Sequence, residues 1–551
     1  MSWHVTLPYE TYEQARDEFT WDIPEKYDAF WNVVGKHDNP DEWVALYQAY
    51  PDGRRRTYTF QDMDDRSAQL AGALTDLGVE FGDRVGIVLP QKPENLVTHL
   101  ASWRMGAISI PLSVLFGEDG LRYRLKNSGA AAVVVDESVR ETVETVRDDC
   151  PDLEHVIVVD GDAGADVHEF DSLIANRSTT YEKADVDGDT PSIIVYTSGS
   201  TGDPKGVVHS HRSWVGHCPG YYMYFERDVL DKTVAWTPAD WAWLGALADA
   251  VFTSWHYGQP IVGYPMDKFD PEVAFELAEE FGVTDTFLPP TAIRMMMDVD
   301  DPTEQYDLEL DAICSGGESL TSDILVWAQE ELEGVAVNEF YGQTEANMLT
   351  VNCQDWFEAR PGSMGKVPPG REVTILDTET REPVDEGEVG EIAVQYNGPD
   401  PIPFIEYWKM PEKTAGHKHG DWHLTGDLGY RDEDGYHWYK SRVDDVIITS
   451  GYRVGPQEVE DGVLEHPDVA QVGVIGVPDD TRGNIIKAFV EPRDGVTGTA
   501  ELKTEIQDLV SDRLAKYEYP REIEFMDGLP QTTTGKIRRT QLRDIGGIED
   551  Q

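Results

Sequence analysis

Cysteine is scarce in this sequence, and the few that occur are not arranged for metal binding or cross-linking. Four are found in 551 residues, and no Cys-x-x-Cys pair is present: Cys150, Cys218, Cys314 and Cys353. Structural zinc sites and disulfide frameworks need closely spaced or paired cysteines. The sequence therefore argues against both and indicates a protein of a reducing compartment.

Long apolar runs are also missing. No segment approaches the roughly 20 apolar residues that a membrane-spanning helix needs. Residues 1–8 (MSWHVTLP) lack the basic start and apolar core of a signal peptide. We therefore expect no membrane span and a cytoplasmic protein.

Basic residues are few, since 45 Lys and Arg face 104 Asp and Glu, for a formal net charge of −59. The acidic residues recur along the whole chain, so the surface should repel nucleic acid and anionic membranes. At about 1 M salt the Debye length is about 3 Å, and this self-repulsion is largely screened. The charge favours a halophilic protein over an acidic enzyme from an ordinary cytoplasm.

The length and the hydrophobic pattern indicate an α/β protein of at least two domains. Short β-branched runs, such as Arg84–Leu89 and Ile193–Tyr196, alternate with amphipathic stretches such as Pro93–Arg104 and Pro271–Phe281. This alternation is typical of parallel strands covered by helices. We predict a large N-terminal domain, residues 1–440, with two mixed or parallel sheets.

The composition and hydrophobic pattern of the sequence change twice towards the C-terminus. After about residue 360, Pro and Gly become frequent and the apolar runs shorten, which indicates a small β-rich subdomain. A compact pattern of strands and helices returns after Asp445. We therefore predict a hinge at residues 441–445 and a small α+β domain at residues 446–551.

The loop Thr197–Gly206 has the composition of a polyphosphate site. Its glycines allow backbone N–H groups to converge on anionic oxygens, and its hydroxyls and lysine add donors and positive charge. It is not a Walker loop, because no Gly-Lys-Ser/Thr ends it. The candidate phosphate-binding residues are Thr197, Ser198, Gly199, Ser200, Thr201, Gly202 and Lys205.

Five further stretches follow in a fixed order: Ser315–Ser319 (SGGES), Tyr341–Glu345 (YGQTE), Thr425–Asp427 (TGD), Lys440–Asp445 (KSRVDD) and Thr533–Arg538 (TTGKIR). With the loop, this set resembles the adenylate-forming superfamily of acyl-CoA synthetases, peptide-synthetase adenylation domains and luciferases. It is most similar to medium-chain acyl-CoA and acetyl-CoA synthetases. The resemblance implies an acid–thiol ligase that uses ATP, Mg²⁺ and coenzyme A and forms an acyl-adenylate.

The resemblance also implies roles for individual residues around the nucleotide. The backbone at Gly316 and Gly317 admits a flat ring, Thr344 offers a hydroxyl to the α-phosphate, and the Glu345 carboxylate suits Mg²⁺. Asp427 would accept the ribose hydroxyls, as acidic residues do in other nucleotide sites. The remaining candidate nucleotide-binding residues are Glu318, Tyr341, Gly342, Gln343 and Arg442.

Lys536 is the candidate for the first chemical step, together with Thr344 and Glu345. Attack of a carboxylate on an α-phosphate brings two anions together, so a cation between them stabilises the transition state. A lysine in such a polar tail would be an ordinary surface residue without the other stretches.

The hinge and the coenzyme A site depend on the resemblance. In the family, Asp444 is the residue about which the C-terminal domain rotates between the two half-reactions. Ser441 stands where the family commonly has Gly, so the resemblance does not fix the rate of the hinge motion in this chain. Candidate coenzyme A contacts are Ser450, Gly451 and Arg453.

The acyl pocket is expected at Trp243, Leu244, Gly245 and Gly342, with Gly316 beside them. Acetate-specific relatives carry two bulky aromatics before Gln-Thr-Glu, whereas this chain has Tyr341 and Gly342. The missing ring predicts a deeper pocket for a medium-chain, branched or aryl acid. Each CH₂ of the acid buried in that pocket would add about 0.8 kcal/mol to the binding free energy.

Several alternatives stay open. A short-chain (acetyl or propionyl) ligase and an adenylating enzyme that does not use coenzyme A are the main ones, and a non-enzymatic nucleotide-binding protein is the weakest. Asp240 would bind a substrate ammonium in a peptide-synthetase interpretation, but no carrier domain is expected after Gln551. The expected partners are a carboxylic acid, ATP and coenzyme A, without nucleic acid, and homo-oligomerisation is left open.

Overall fold

The chain divides into two units in the computed structural model. The first contains Met1–Ser198, Pro204–Val373 and Val394–His423, and the second consists mainly of Thr374–Ala393 and Leu424–Gln551. The described residues are 3–164, 166–197, 203–230, 233–317, 320–449, 452–479, 482–493, 495–514, 518–531 and 537–548, without the side chains of Ile448, Tyr452, Arg453, Gly483 and Asp512. The domain boundaries at 440 and 446 stay predictions.

One eight-stranded sheet of the first unit carries the YGQTE stretch at its edge. Its inner strands pair in parallel, and an antiparallel hairpin closes each edge. The strands, in spatial order, are Ala346–Val351, Ala336–Gln343, Ala312–Gly316, Asp285–Phe287, Ala235–Trp236, Ile261–Gly263, Val44–Ala49 and Arg55–Thr59.

The second eight-stranded sheet of this unit carries the polyphosphate loop. Five of its pairings are parallel and the two nearest the loop are antiparallel. The strands, in spatial order, are Glu406–Tyr407, Lys205–Ser210, Pro191–Thr197, Ile108–Pro111, Arg84–Val88, Ala130–Asp136, His155–Val159 and Val167–Glu169. The prediction of two mixed or parallel sheets is confirmed.

Local sequence signals explain many helix ends. Thr59 and Asp62 form a reciprocal capping box before Phe60–Asp76, and Gly106 ends Pro93–Met105 with a φ of 69°. The other α-helices of this unit are Tyr12–Glu18, Glu118–Ser128, Arg140–Arg147, Phe170–Ile174, Ser213–Gly216, Cys218–Tyr224, Leu244–Ala246, Phe252–His256, Pro271–Phe281, Pro290–Met296, Pro302–Gln305, Ser322–Glu331 and Pro411–Gly416. Glu137–Val139 is a 3₁₀ turn, and Trp31–Gly35 and Leu247–Val251 are π-helical.

Two smaller sheets contain the other strands of the described residues. The first orders Val373–Leu376, Gly390–Gln395, Trp422–Arg431 and Lys418–His419, and His437–Arg442 also pairs with Trp422–Arg431. The sheet nearest the C-terminus orders Tyr452–Val454, Ile447–Thr449, Gly483–Pro492 and Val469–Asp479, with Glu522–Phe525 parallel to Gly483–Pro492. Its helices are Pro456–Leu464, Ala500–Arg513 and Arg539–Ile545.

All four cysteines are buried free thiols. Among the described residues, none of the helices has the length and hydropathy needed to cross a membrane.

Candidate active site

The YGQTE stretch folds into the tip of a tight β-hairpin. Gln343 pairs with Ala346, so Thr344 and Glu345 are the two residues between the strands. Thr344 is partly exposed and Glu345 is buried. A two-residue connection of this kind fixes both side chains relative to the sheet. The structure therefore holds the two candidate catalytic residues on a rigid element.

The Glu345 carboxylate meets groups from the neighbouring sheet. Its Oε1 accepts a hydrogen bond of 2.6 Å from the Tyr407 hydroxyl and lies 4.0 Å from Lys205 Nζ. The ammonium also lies 5.0 Å from the centre of the Tyr407 ring. Side-chain exposure is only 14% for Lys205 and 9% for Glu345, so solvent screens this pair weakly. The predicted phosphate-binding lysine and the predicted metal ligand are thus brought together.

The backbone of the hairpin tip is held by two hydrogen bonds. His209 Nε2 lies 2.7 Å from the Thr344 carbonyl oxygen, and Phe404 N–H donates to the Glu345 carbonyl over 2.9 Å. Burial lowers the pKa of His209 to about 4, although its bond to the Thr344 carbonyl opposes this shift. The ring is therefore neutral near pH 7, with its proton on Nε2 to make this bond.

Part of the polyphosphate loop lies outside the described residues, namely Ser198, Gly199, Ser200, Thr201 and Gly202. Its two ends are described. Thr197 ends one strand, and its antiparallel partner Lys205 begins the next. The lysine is therefore at the mouth of a hairpin, beside Glu345.

The donor set at Glu345 fits Mg²⁺. This ion takes one or two carboxylates and completes its octahedron with water and phosphate oxygens rather than with a protein cage. Glu345 provides one carboxylate and Thr344 a neighbouring hydroxyl. Across the described part of the chain, no three His, Cys, Asp or Glu side chains form a metal cluster, and a Mg²⁺ site that depends on ATP needs none.

The glycines of the SGGES stretch end a buried strand against an aromatic ring. A side chain at Gly316 would place its Cβ 2.7 Å from Phe340 Cε1, and Gly317 has a φ of 96°, which side chains disfavour. The missing side chain at Gly316 thus admits the Phe340 ring against the backbone, and the adenine-wall role stays a prediction. Glu318 lies outside the described residues.

Three of the predicted acyl-pocket residues are consecutive and border aromatic rings. The Trp243 ring is edge-on to Phe116 at 6.3 Å, and Leu244 is buried in the core. A Cβ at Gly245 would lie 3.6 Å from the Phe287 ring. The Phe287 ring in turn lies 5.8 Å from the Phe340 ring that covers Gly316.

Gly342 requires a correction. We expected its missing side chain to leave space for the acyl group, but a Cβ there would lie 2.5 Å from the backbone nitrogen of Met348. The strand register shifts at this point, and Met348 has a φ of 52°. Gly342 therefore accommodates the adjacent backbone rather than opening the floor of a pocket.

The strand after Glu345 is anchored by a buried arginine that sequence reasoning missed. The Arg371 guanidinium donates to the carbonyls of Asn347 and Met348, and over 2.8 Å to that of Gly216. It also donates from Nε to Asp400 Oδ2 over 2.7 Å, and the two side chains are 1% and 4% exposed. This network fixes the backbone directly behind the catalytic hairpin.

In the second unit, the TGD and KSRVDD stretches lie on paired strands. Asp427 is the direct cross-strand partner of Arg442, and Arg442 Nη1 donates to Asp427 Oδ1 over 3.0 Å. Arg442 Nε also lies 3.4 Å from Asp444 Oδ1. The structure thus joins the predicted ribose-binding acid, the predicted nucleotide-binding arginine and the predicted hinge residue.

The next residue connects to the C-terminal helix. Asp445 accepts from Arg543 over 2.7 Å and lies 3.4 Å from Arg539 Nη1. Arg539 also pairs with the buried Glu460 over 2.5 Å. Lys536, Ser450 and Gly451 lie outside the described residues. Arg453 is on the strand Tyr452–Val454, and its side chain is not described.

His209 and Tyr407 are further site residues that the sequence did not reveal. They reach Thr344 and Glu345 because Glu406–Tyr407 pairs with Lys205–Ser210, some 200 positions apart in the chain. No local sequence pattern predicts a two-residue strand, so only the fold identifies these two residues as part of the site.

A separate surface depression of about 600 Å³ contains none of these residues. It is lined by six carboxylates: Glu94, Glu137, Asp160, Asp162, Glu169 and Asp171. Such a lining repels a polyphosphate and does not suit a nucleotide.

Family models match most of the chain. The AMP-binding enzyme model covers residues 35–399, and the AMP-binding enzyme C-terminal domain model covers residues 458–536. Solved structures agree with this match. An anthranilate CoA ligase in complex with anthranoyl-AMP is 28% identical with a TM-score of 0.85, covering 96% of this chain and 98% of the other.

Curated relatives cover the chain almost from end to end. The acetyl-coenzyme A synthetase of Bacillus subtilis is 36% identical over 94% of this chain and 90% of its own. A mitochondrial acyl-coenzyme A synthetase of Homo sapiens is 35% identical over 91% and 86%. Such enzymes use ATP, Mg²⁺ and coenzyme A. The chain therefore belongs to the AMP-binding enzyme family and is an acyl-CoA ligase.

Proposed function

We propose that this ligase activates a medium-chain, branched or aryl carboxylic acid in preference to acetate. The observation that carries this proposal is the group of aromatic rings beside Gly245, where Phe287 borders a position without a side chain. Each CH₂ of the acid that is buried against such an apolar lining stabilises the bound acid by about 0.8 kcal/mol. Gly342 does not deepen this pocket, because backbone atoms fill the space beside it.

In the first half-reaction, a carboxylate oxygen of the acid attacks the α-phosphorus of ATP and pyrophosphate leaves. Lys205 and the loop after Thr197 would bind phosphate oxygens, and Lys536 would offset the negative charge that develops. Mg²⁺, held by Glu345, would neutralise charge on the phosphates. Tyr407 would orient the Glu345 carboxylate, and His209 would hold the Thr344 backbone. Asp427 would accept the ribose hydroxyls.

In the second half-reaction, the sulfur of coenzyme A attacks the acyl carbonyl, loses its proton and displaces AMP. We assign the hinge for this change to Asp444 and the coenzyme A contacts to Ser450, Gly451 and Arg453. Asp444→Pro should spare adenylation and slow thioester formation, because proline fixes φ at about −65°.

A short-chain ligase is the second candidate, favoured by the similarity to an acetyl-coenzyme A synthetase. A peptide-synthetase role, with Asp240 binding a substrate ammonium, has less support, because the relatives are named as acetyl- and acyl-coenzyme A synthetases. Pyrophosphate release with linear, branched and aromatic acids, competed against acetate, tests the proposal. A higher kcat/KM for acetate than for every longer acid would refute it.

We also propose that the protein works in a salt-rich cytoplasm, on the basis of its net charge of −59. Screening of surface repulsion should raise its melting temperature between low and molar KCl. An unchanged melting temperature across that range would count against a halophilic origin.

A further inference from the structure

A buried carboxyl lies directly behind Gly245. The short helix Leu244–Ala246 continues into the π-helical turn Leu247–Val251, and Asp249 within this turn has no exposed surface. A Cβ at Gly245 would lie 3.6 Å from Asp249 Oδ2. π-turns are rare and occur frequently at functional sites. Since Gly245 has no side chain, the carboxyl and the Phe287 ring, each 3.6 Å away, are the nearest groups to the space at its Cβ position.

The carboxyl is held in one orientation by groups on other elements. Asn347 Nδ2 lies 2.8 Å from Oδ1 and 2.6 Å from Oδ2, and His217 Nδ1 lies 3.2 Å from Oδ1. The amide of Asn347 is itself oriented, because Met348 N–H donates to its Oδ1 over 3.0 Å. A carboxylate has about four acceptor positions, and these contacts occupy about three.

The position of Asp249 links it to both parts of the proposed site. Asn347 lies two residues after Glu345 on the catalytic hairpin. Gly245 borders Phe287, whose ring lies near the Phe340 ring that covers Gly316. The contacts from Asn347 and His217 leave about one acceptor position of the buried carboxyl unfilled, and a hydrogen bond from a substrate would fill it. Burial raises the pKa of Asp249 well above its usual value.

We propose that Asp249 is a specificity residue that accepts a hydrogen bond from the acyl group, so that the preferred acid carries a hydroxyl or amino substituent where it reaches Gly245. This inference rests on the proposed function, which places Gly245 in the acyl pocket. Sites built to bond a substrate hydroxyl or amine reject the analogue without it, because their buried polar group is then left unpaired.

The test compares pairs of acids that differ only by a hydroxyl or amino group in place of a methyl group. Suitable pairs are hydroxybenzoates or aminobenzoates against the corresponding toluates, and ω-hydroxyalkanoates against alkanoates one carbon longer. For at least one pair, pyrophosphate release by the wild-type protein should show a kcat/KM at least tenfold higher for the polar acid. Equal values, or higher values for every methyl acid, would overturn the inference.

Gly245→Ala tests the carboxyl without disturbing its network. The added methyl makes only ordinary contacts, 3.6 Å from both Asp249 Oδ2 and Phe287 Cε1. In the proposal it fills the space through which the acyl substituent would reach the carboxyl. The polar preference should fall to within about threefold of unity, while the melting temperature stays near that of the wild type. Survival of the full preference would contradict the role of Asp249.

Gly72→Ala is the matched control. It makes the same substitution within the helix Phe60–Asp76, where nothing lies within 4 Å of the new Cβ. The polar preference should be unchanged in this variant, and its loss there too would overturn the assignment. Absence of pyrophosphate release with every acid would instead refute the proposed function, and the inference with it. Activation of the acids without a polar preference would refute the inference alone.

Discussion

Arg371→Met should destabilise the first unit strongly, because it removes one member of a buried ion pair and three backbone contacts. The change keeps most of the aliphatic stem but leaves Asp400, which is 4% exposed, without its cationic partner. It also removes the donor to the carbonyls of Gly216, Asn347 and Met348. Breaking a buried pair on one side typically costs about 3–5 kcal/mol.

The assay is urea unfolding followed by tryptophan fluorescence, in a buffer of fixed high salt. We expect the free energy of unfolding of the first unit to fall by about 3–5 kcal/mol. Arg212→Met is the control, since its pair with Asp189 is 43% and 73% exposed, and it should cost about 0–1 kcal/mol. The double variant Arg371→Met/Asp400→Leu should cost less than the sum of its single changes. Equal, small losses for Arg371→Met and Arg212→Met would refute the anchoring role of Arg371.

Three other changes test separate parts of the account. Tyr407→Phe removes a 2.6 Å hydrogen bond to Glu345. Such a bond to a charged acceptor is worth about 1.5–3 kcal/mol, so kcat/KM for pyrophosphate release should fall about 10- to 100-fold. An unchanged kcat/KM would show that Tyr407 has no role in the site. Gly342→Ala forces a Cβ to within 2.5 Å of Met348 N and should cost about 1–3 kcal/mol of stability in melting experiments. An unchanged stability together with a selective loss of activity on longer acids would restore the open-floor interpretation. Burial raises the pKa of Asp285 to about 8, so the folded state binds this proton more tightly than the unfolded state does. The stability gained from this proton is fully present below about pH 4 and is lost as the pH rises to about 8. The free energy of unfolding falls over this window by at most about 1.4 kcal/mol per pH unit. Asp285→Asn should flatten urea stability over that window, and an unaltered pH dependence would contradict the assignment.

Much of the fold could be predicted because its strands are continuous buried runs. The helix Pro271–Phe281 has the predicted bounds, and the strand Arg84–Val88 ends one residue before its predicted end. The antiparallel hairpins were harder to predict. Ala346–Val351 is buried along its whole length and includes Asn347, so it lacks the alternation that marks an edge strand.

The candidate site could be predicted in part, where its residues lie in short contiguous stretches. Asp427 and Arg442 are brought together, as are Lys205 and Glu345. The partners contributed by other elements could not be predicted, because His209 and Tyr407 depend on a strand pairing distant in sequence. Gly342 shows the opposite case, since its missing side chain predicts empty space, whereas a register shift places backbone there.

The central claim is that the acid is activated as an acyl-adenylate before coenzyme A enters. Exchange of labelled pyrophosphate into ATP, measured without coenzyme A, tests this most directly. We expect exchange that depends on both the carboxylic acid and Mg²⁺. It should be lost in Lys536→Ala, while supplied acyl-adenylate is still converted to acyl-CoA. Exchange that appears only when coenzyme A is present, or formation of ADP in place of AMP, would contradict it.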